Sequence, residues 1–142
     1  MVVEDQELTM DNKTFRHEYL SAHIRELLAT QVRATREQRG WSQETLGQNA
    51  GMAQERISVL EDPDYAGMTL KTLKRIAEAF DVALVVRFAP FSEMLTWIDH
   101  VSAEQFAVPS YETDAHLAAA TAVRAVVTTA DQTPSSEPLL PS

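Results

Sequence analysis

The sequence of 142 residues contains no cysteine, which excludes disulfides, thiolate metal sites and cysteine nucleophiles. It also lacks any run of about 18 apolar residues, the length that a membrane-spanning helix needs. The N-terminal stretch MVVEDQELTM is acidic, whereas a secretory signal begins with basic residues and continues with an apolar segment. These absences predict a cytoplasmic protein with no membrane segment.

Motifs for catalysis and cofactor binding are missing as well. His17 and His23 are six residues apart, which does not place them on one helical face, and His100 and His116 fall in different segments. The chain has neither a phosphate-binding glycine loop nor an HExxH zinc motif. We therefore predict that the protein is not an enzyme and that it holds no cofactor or metal.

Positive charge is scarce, since 12 lysines and arginines face 21 aspartates and glutamates and give a net charge of -9. The excess of acid lies in the two ends of the chain, because residues 25–87 carry nine basic and nine acidic side chains. For a neutral domain, affinity for DNA would have to come from a local basic face and from a dimer that doubles this face.

Two short helical patterns meet at a single glycine. Leu46 and Ala50 are four residues apart, Ile57 and Leu60 are three apart, and Gly51 separates the two pairs. A glycine between two helices of about two turns supplies the backbone freedom for a sharp corner, which predicts a helix-turn-helix. The residues of the second helix that remain outside, where they can reach base edges, are Gln54, Glu55, Arg56, Ser58 and Val59.

The surrounding sequence strengthens this interpretation over about 60 residues. An arginine-rich segment, RELLATQVRATREQRGW, precedes SQETLGQNAGMAQERISVLED, and TLKTLKRIAEAF follows it. The stretch resembles the lambda-repressor-like helix-turn-helix of the bacterial and phage regulators often called xenobiotic-response-element-like. The resemblance rests on the Gly-Trp-Ser-Gln start at Gly40, on the spacing of Leu46, Gly51, Ile57 and Glu61, and on the closing Leu73-x-x-Ile76-Ala77. The chain departs from the common family pattern at Gly47, where alanine is usual, at Ala53, where a hydroxyl residue is usual, and in the acidic loop after Glu61. The glycine predicts a close approach of the next helix, and the missing hydroxyl predicts a weaker helix start.

The resemblance implies a dimeric repressor that places two recognition helices in the major groove of a pseudo-palindromic operator in double-stranded DNA. Gln43 matches the position that holds a phosphate and steadies the glutamine that reads a base, and Gln54 matches that glutamine. Glu55, Arg56, Ser58 and Val59 complete the implied reading surface. Lys71, Lys74 and Arg75 should lie on the outside of the following helix, and Lys71, near its start, is the cation best placed for a phosphate.

The expected fold is mainly α: a lambda-repressor-like bundle of four to five helices with one C-terminal strand. A flexible acidic arm, 1–14, precedes the helix-turn-helix domain, 15–81. Its first helix should begin at Phe15 or Tyr19 and end in a basic turn before Gly40, and Ser42 and Thr69 should cap later helices of the domain. In a dimerisation segment, 82–101, the β-branched run Val82 to Phe88 predicts a strand that pairs with its own copy across a homodimer. A short helix from Glu93 to His100, capped by Ser92, should cover Leu84, Val86 and Phe88, while Val85 and Arg87 face the other way. The remainder, 102–142, is predicted to be a mostly disordered tail, with a marginal helix within residues 115–130.

Two other functions fit the same sequence. An antitoxin would control its own operon through the helix-turn-helix and bind a toxin protein through its C-terminal region, and its gene would lie beside a small toxin-like reading frame. A protein-interaction module that has lost DNA binding would agree with the acidic balance, and salt-dependent binding to DNA would exclude it.

Overall fold

The structure is a computed structural model that describes residues 9–65 and 67–122, and its chain divides into two units, 1–110 and 111–142. The longest element of the first unit is α1, Lys13–Gln38. It begins earlier than the predicted start at Phe15 or Tyr19, because the side chain of Asn12 accepts a hydrogen bond from the Phe15 amide at 3.0 Å and so caps the helix. The helix ends as predicted before Gly40, which has a φ of 67°.

Three further helices pack with α1 around one core: α2, Gln43–Ala50, α3, Gln54–Leu60, and α4, Leu70–Phe80. The amides of Thr45 and Thr72 donate to the caps Ser42 and Thr69 at 3.0 and 3.2 Å, so both predicted caps are present. Leu46, Ala50, Ile57 and Leu60, the apolar residues of the two predicted helical patterns, belong to the buried cluster, which also contains Val32, Ile76 and Phe80. The mainly helical bundle is therefore confirmed.

Gly47 allows α2 and the turn before α3 to approach each other closely, as the sequence predicts. A Cβ atom at this position would lie 2.6 Å from the backbone oxygen of Met52, which is closer than side-chain carbons are tolerated. The Met52 amide in turn donates to the Gly47 carbonyl at 2.8 Å. The glycine thus fixes the distance between the two helices of the motif.

We expect Gly47→Ala to lower the free energy of unfolding by about 1–3 kcal/mol through overpacking, even though alanine is the better helix former by about 1 kcal/mol. Urea denaturation measures the change. Asn49→Ala is the matched control, since Asn49 is exposed on the same helix and its replacement improves helix propensity without a clash. Equal stabilisation of the two variants would contradict the close approach.

The segment after α4 differs from the prediction. Residues 82–90 form neither helix nor strand in the described part of the chain, so the strand from Val82 to Phe88 is not confirmed. Val86 and Phe88 are 67% and 105% exposed, and their predicted burial is wrong for the single chain. They are exposed because the next helix contacts α1 and does not cover them. The ring of Phe91, at the start of that helix, lies edge-on to the His17 ring of α1, with the centroids 5.5 Å apart.

This last helix, α5, spans Phe91–His100, close to the predicted range. Its N-cap is Pro90, which makes no side-chain capping bond, so the prediction that Ser92 caps the helix is wrong. Ser92 lies inside the first turn, where its carbonyl accepts from the Thr96 hydroxyl at 2.8 Å. Proline before the helix supplies the required extended backbone without a cap.

Beyond α5 the chain folds back onto α1, contrary to a tail that is disordered from residue 102. A 3-10 turn, Ala103–Gln105, leads into residues 106–108, which we call the strap. The buried Thr35 hydroxyl donates to the Phe106 carbonyl at 3.2 Å and accepts from the Val108 amide at 3.4 Å. Arg39 donates to the Val108 carbonyl at 3.2 Å. The buried hydroxyl of Thr35 therefore finds both of its partners in the strap.

In the second unit, residues 117–122 form the start of a helix, and the Leu117 amide donates to the Asp114 carbonyl at 3.2 Å. The rest of the predicted helix, up to residue 130, lies outside the described residues, as do the proline- and serine-rich end and most of the acidic arm. No helix in the part of the chain that the structure describes is long and apolar enough to cross a membrane.

Candidate DNA-binding surface

The corner between α2 and α3 is built by the backbone. Gly51 ends α2 with a φ of 64°, a left-handed conformation that glycine adopts at little cost. Met52 follows and packs against the core cluster. Ala53 begins α3 without a side-chain capping bond, so the missing hydroxyl leaves this helix start uncapped, as the sequence predicts.

One side of α3 faces outward from the bundle. Ile57 and Leu60 are fully buried, and they mark the inward side. At about 100° per residue, the opposite side is centred near Glu55. The exposed residues of this helix, which we call the reading face, are Gln54, Glu55, Ser58 and Val59.

Arg56 is the one residue predicted for this surface that the structure turns elsewhere. It is half-buried, and its guanidinium donates to the Tyr65 hydroxyl at 2.6 Å and lies 5.2 Å from the centre of the Tyr65 ring. The hydroxyl donates in turn to the Gly67 carbonyl at 3.3 Å. Tyr65 thus draws Arg56 away from the reading face and toward the loop before α4.

Gln43 has a different partner from the one that the resemblance implies. Its side-chain amide donates to the Glu61 carboxylate at 2.7 Å, rather than to Gln54. The same carboxylate accepts two bonds from Arg36, at 2.5 and 3.2 Å, and Arg36 also donates to the Trp41 carbonyl at 2.8 Å. The Glu61 side chain is only 5% exposed. This network joins the end of α1, the start of α2 and the end of α3, and so fixes the angle at which the reading face is presented.

The arginines at the end of α1 leave less positive charge free to contact DNA than their number suggests. Arg36 is bound to Glu61, and Arg39 donates to the Phe80 carbonyl at 2.8 Å while lying over the Trp41 and Phe80 rings. Arg33 remains exposed, but its hydrogen bond to Glu37, together with the opposite charge, raises its pKa. The predicted basic turn is therefore largely part of the internal architecture.

Arg75, which the sequence places on the outside of α4, also has an internal role. Its guanidinium donates to the Ala50 carbonyl at 3.2 Å and to the Gly51 carbonyl. These carbonyls lie at the C-terminal end of α2, where a helix leaves acceptors unsatisfied and its dipole favours a cation. The arginine thus braces the corner from the far side, a role that helical spacing does not reveal.

Lys71 and Lys74 are the cations of α4 that remain available. Both are exposed, and neither forms an ion pair among the described residues. The first turn of α4 contains Lys71 and no acidic residue. A cation there opposes the helix dipole, and an anion bound at the helix start would reverse this cost. The arrangement suits a phosphate between Lys71 and the first amides of α4.

Comparison with known families agrees with this geometry. Residues 32–86, from the second half of α1 through α4, match the family described as Helix-turn-helix, so this part of the chain is a DNA-binding helix-turn-helix domain of a transcription regulator. More particularly, it is a domain of the lambda-repressor-like family. Comparisons with curated proteins and with solved structures found no match.

Proposed function

We propose that the protein is a dimeric repressor that reads a pseudo-palindromic operator through the reading face of α3. The observation that carries the proposal is this face itself: four exposed side chains with hydrogen-bonding or apolar character, on a helix whose other side is fully buried. Side chains of these kinds read base edges in the major groove. Gln43 and Lys71 flank the face, where they would contact phosphates and fix its position on the duplex.

The small number of open cations supports a dimer. If only Lys71 and Lys74 met phosphates, one subunit would neutralise two charges and a dimer four, which gives a slope of about -3.6 in a plot of log affinity against log salt concentration. One subunit would then bind weakly, whereas a second half-site joined to the first multiplies the effective concentration of its helix. Repression would follow from occupancy of the operator.

An exposed apolar surface suits the second copy. Val85, Val86 and Phe88 are 77%, 67% and 105% exposed, and Trp97 of α5 is 48% exposed. A soluble chain rarely exposes such a cluster unless it contacts a partner. In the proposed dimer, residues 84–88 of the two copies pair as strands. The ion pair of Arg87 with Glu93, which lowers the pKa of Glu93 through its hydrogen bond, ties this segment to α5.

Selection of bound sequences from random DNA tests the proposal. The expected product is a motif with two inverted halves whose centres are about 34–36 Å, one helical turn, apart or a multiple of this. Titration of the selected duplex at several salt concentrations gives the slope. An absence of salt-dependent binding would instead support an interaction module that has lost DNA binding.

Replacing Gln54 with alanine should weaken operator binding by about 1–3 kcal/mol and relax the preference at one base pair in each half-site, because glutamine can bond adenine N6 and N7 together. Gln43→Ala is the matched control: it should weaken all sequences alike, since its role is to contact a phosphate. Binding titrations against the operator and its single-base variants distinguish the two. Equal loss of discrimination in both variants would contradict the assignment.

Glu55 lies at the centre of the reading face and gives a sharper test. If its carboxylate accepts a hydrogen bond from cytosine N4, Glu55→Gln should change the preferred base at one position of each half-site. A second round of sequence selection with the variant measures this preference. If Glu55 serves only the helix dipole, the variant will select the same sequence with altered affinity.

A further inference from the structure

A cavity of about 240 Å³ lies between the N-terminal half of α1 and the loop that joins α3 to α4. Its walls are mostly apolar, with one hydroxyl from serine, one phenol and one guanidinium. The lining residues are Ser21, Ile24, Arg25, Leu28, Tyr65 and Met68. Tyr65 and Met68 also pack against the core cluster, so this wall of the cavity is anchored.

Arg25 is unusual among the arginines of the described chain. Its Nε atom is buried and has no hydrogen-bond partner. Side-chain acceptors or carbonyls meet the guanidinium groups of the other described arginines, namely Arg16, Arg33, Arg36, Arg39, Arg56, Arg75 and Arg87. A buried donor without an acceptor is costly, and no hydrogen bond or ion pair among the described residues holds the rest of this guanidinium, which lines the cavity and can donate to a ligand through its terminal nitrogens.

The residues that line the cavity indicate which chemical group of a ligand would bind Arg25. A guanidinium presents its donors in a planar fork that matches a carboxylate, and the surrounding aliphatic and aromatic walls favour an apolar body. We propose that the cavity binds a small carboxylic acid with an apolar body, held by Arg25, and that its occupancy controls DNA binding through Tyr65. The second half of this inference rests on the proposed repressor function, whereas the binding site itself does not.

Tyr65 connects the cavity to the recognition helix. One part of the residue lines the cavity, and its hydroxyl accepts the hydrogen bond from Arg56 of α3 at 2.6 Å. A ligand packed against the ring stabilises the arrangement in which Tyr65 holds Arg56 away from DNA, whereas the operator would favour the arrangement in which Arg56 is released to meet guanine or a phosphate. Because coupling between two sites is reciprocal, such a ligand lowers operator affinity, and the operator lowers the affinity for the ligand.

Benzoate and its uncharged analogue benzamide are suitable probes, titrated into the full chain while backbone amide NMR signals are recorded. Benzoate should saturate with a dissociation constant of about 1 mM or below, shift the signals of Arg25 and Tyr65, and bind at least about tenfold more tightly than benzamide. Arg25→Gln should abolish this difference. Arg33→Gln, which removes an exposed guanidinium from the same helix, should leave it unchanged.

Equal binding of benzoate and benzamide, or the absence of saturation by about 20 mM benzoate, would overturn the site. Tyr65→Phe keeps the ring but removes the acceptor for Arg56, so it should still bind benzoate. Saturating benzoate should lower the operator affinity of the unmodified protein by about threefold or more, with no such effect on Tyr65→Phe. Benzoate binding without an effect on operator affinity would overturn only the coupling, and a failure to bind any DNA would overturn the repressor function while NMR still tests the site.

Discussion

Glu61→Ala is expected to lower the free energy of unfolding by about 3–5 kcal/mol, the range for removing one partner of a buried ion pair. The carboxylate is 5% exposed and the Arg36 side chain 12%, so water cannot replace the lost partner fully. Arg36 would keep its bond to the Trp41 carbonyl and a longer ion pair, 3.8 Å, with the exposed Glu37, and Gln43 would lose its acceptor. Urea denaturation followed by circular dichroism measures the loss.

Glu37→Ala is the control for this prediction. Glu37 pairs with Arg33 at 3.0 Å and with Arg36 at 3.8 Å, but its own side chain is 54% exposed, and such surface pairs contribute about 0–1 kcal/mol. Replacing Arg36 and Glu61 together with leucine should cost less than Glu61→Ala alone, since no buried charge is then left unpaired. A similar small loss for Glu37→Ala and Glu61→Ala would show that the network does not brace the domain.

Val85→Pro is expected to yield a folded, helical monomer whose operator affinity is reduced by about a hundredfold or more, the scale on which linking two binding units acts. Val85 is 77% exposed in the single chain, so the substitution leaves the core intact. In the proposed dimer it removes an amide donor from the middle of the strand pairing. Analytical ultracentrifugation reports the oligomeric state, and titration with operator DNA reports the affinity.

Val85→Thr keeps the amide and the preference for extended structure, and should therefore remain dimeric. A proline variant that stayed dimeric and bound DNA normally would move the interface away from residues 84–88, with the segment after Ser102 as the next place to test.

Local signals in the sequence were enough to predict much of the fold. The caps Ser42 and Thr69 and the corner at Gly51 depend on residues within a few positions of each other, and all three are present. Gly47 was informative because a glycine inside a short helix needs a reason, and the backbone of Met52 supplies one. The outward direction of Gln54, Glu55, Ser58 and Val59 followed from helical periodicity alone.

Contacts between distant residues were not predictable in this way. The partners of Arg36 and Arg75 lie 25 residues away, and Thr35 meets the strap at a separation of 71 residues. Arginine on a helix has the same spacing whether it meets solvent, a phosphate or a carbonyl of another helix. Apolar periodicity did not identify the strap either, because it is held by backbone hydrogen bonds to Thr35 and Arg39.

Most of the described arginines bind groups within the protein, and this affects how a DNA-binding regulator would find its site in a genome. Affinity for bulk DNA comes almost entirely from cations that meet phosphates, and here most of the described guanidinium groups already hold carbonyls, carboxylates or a phenol of the protein itself. The competing background of about 10⁶–10⁹ nonspecific genomic sites would therefore sequester few molecules. The proposed repressor would then find its operator at a low number of copies per cell, although its first association with DNA would be slower.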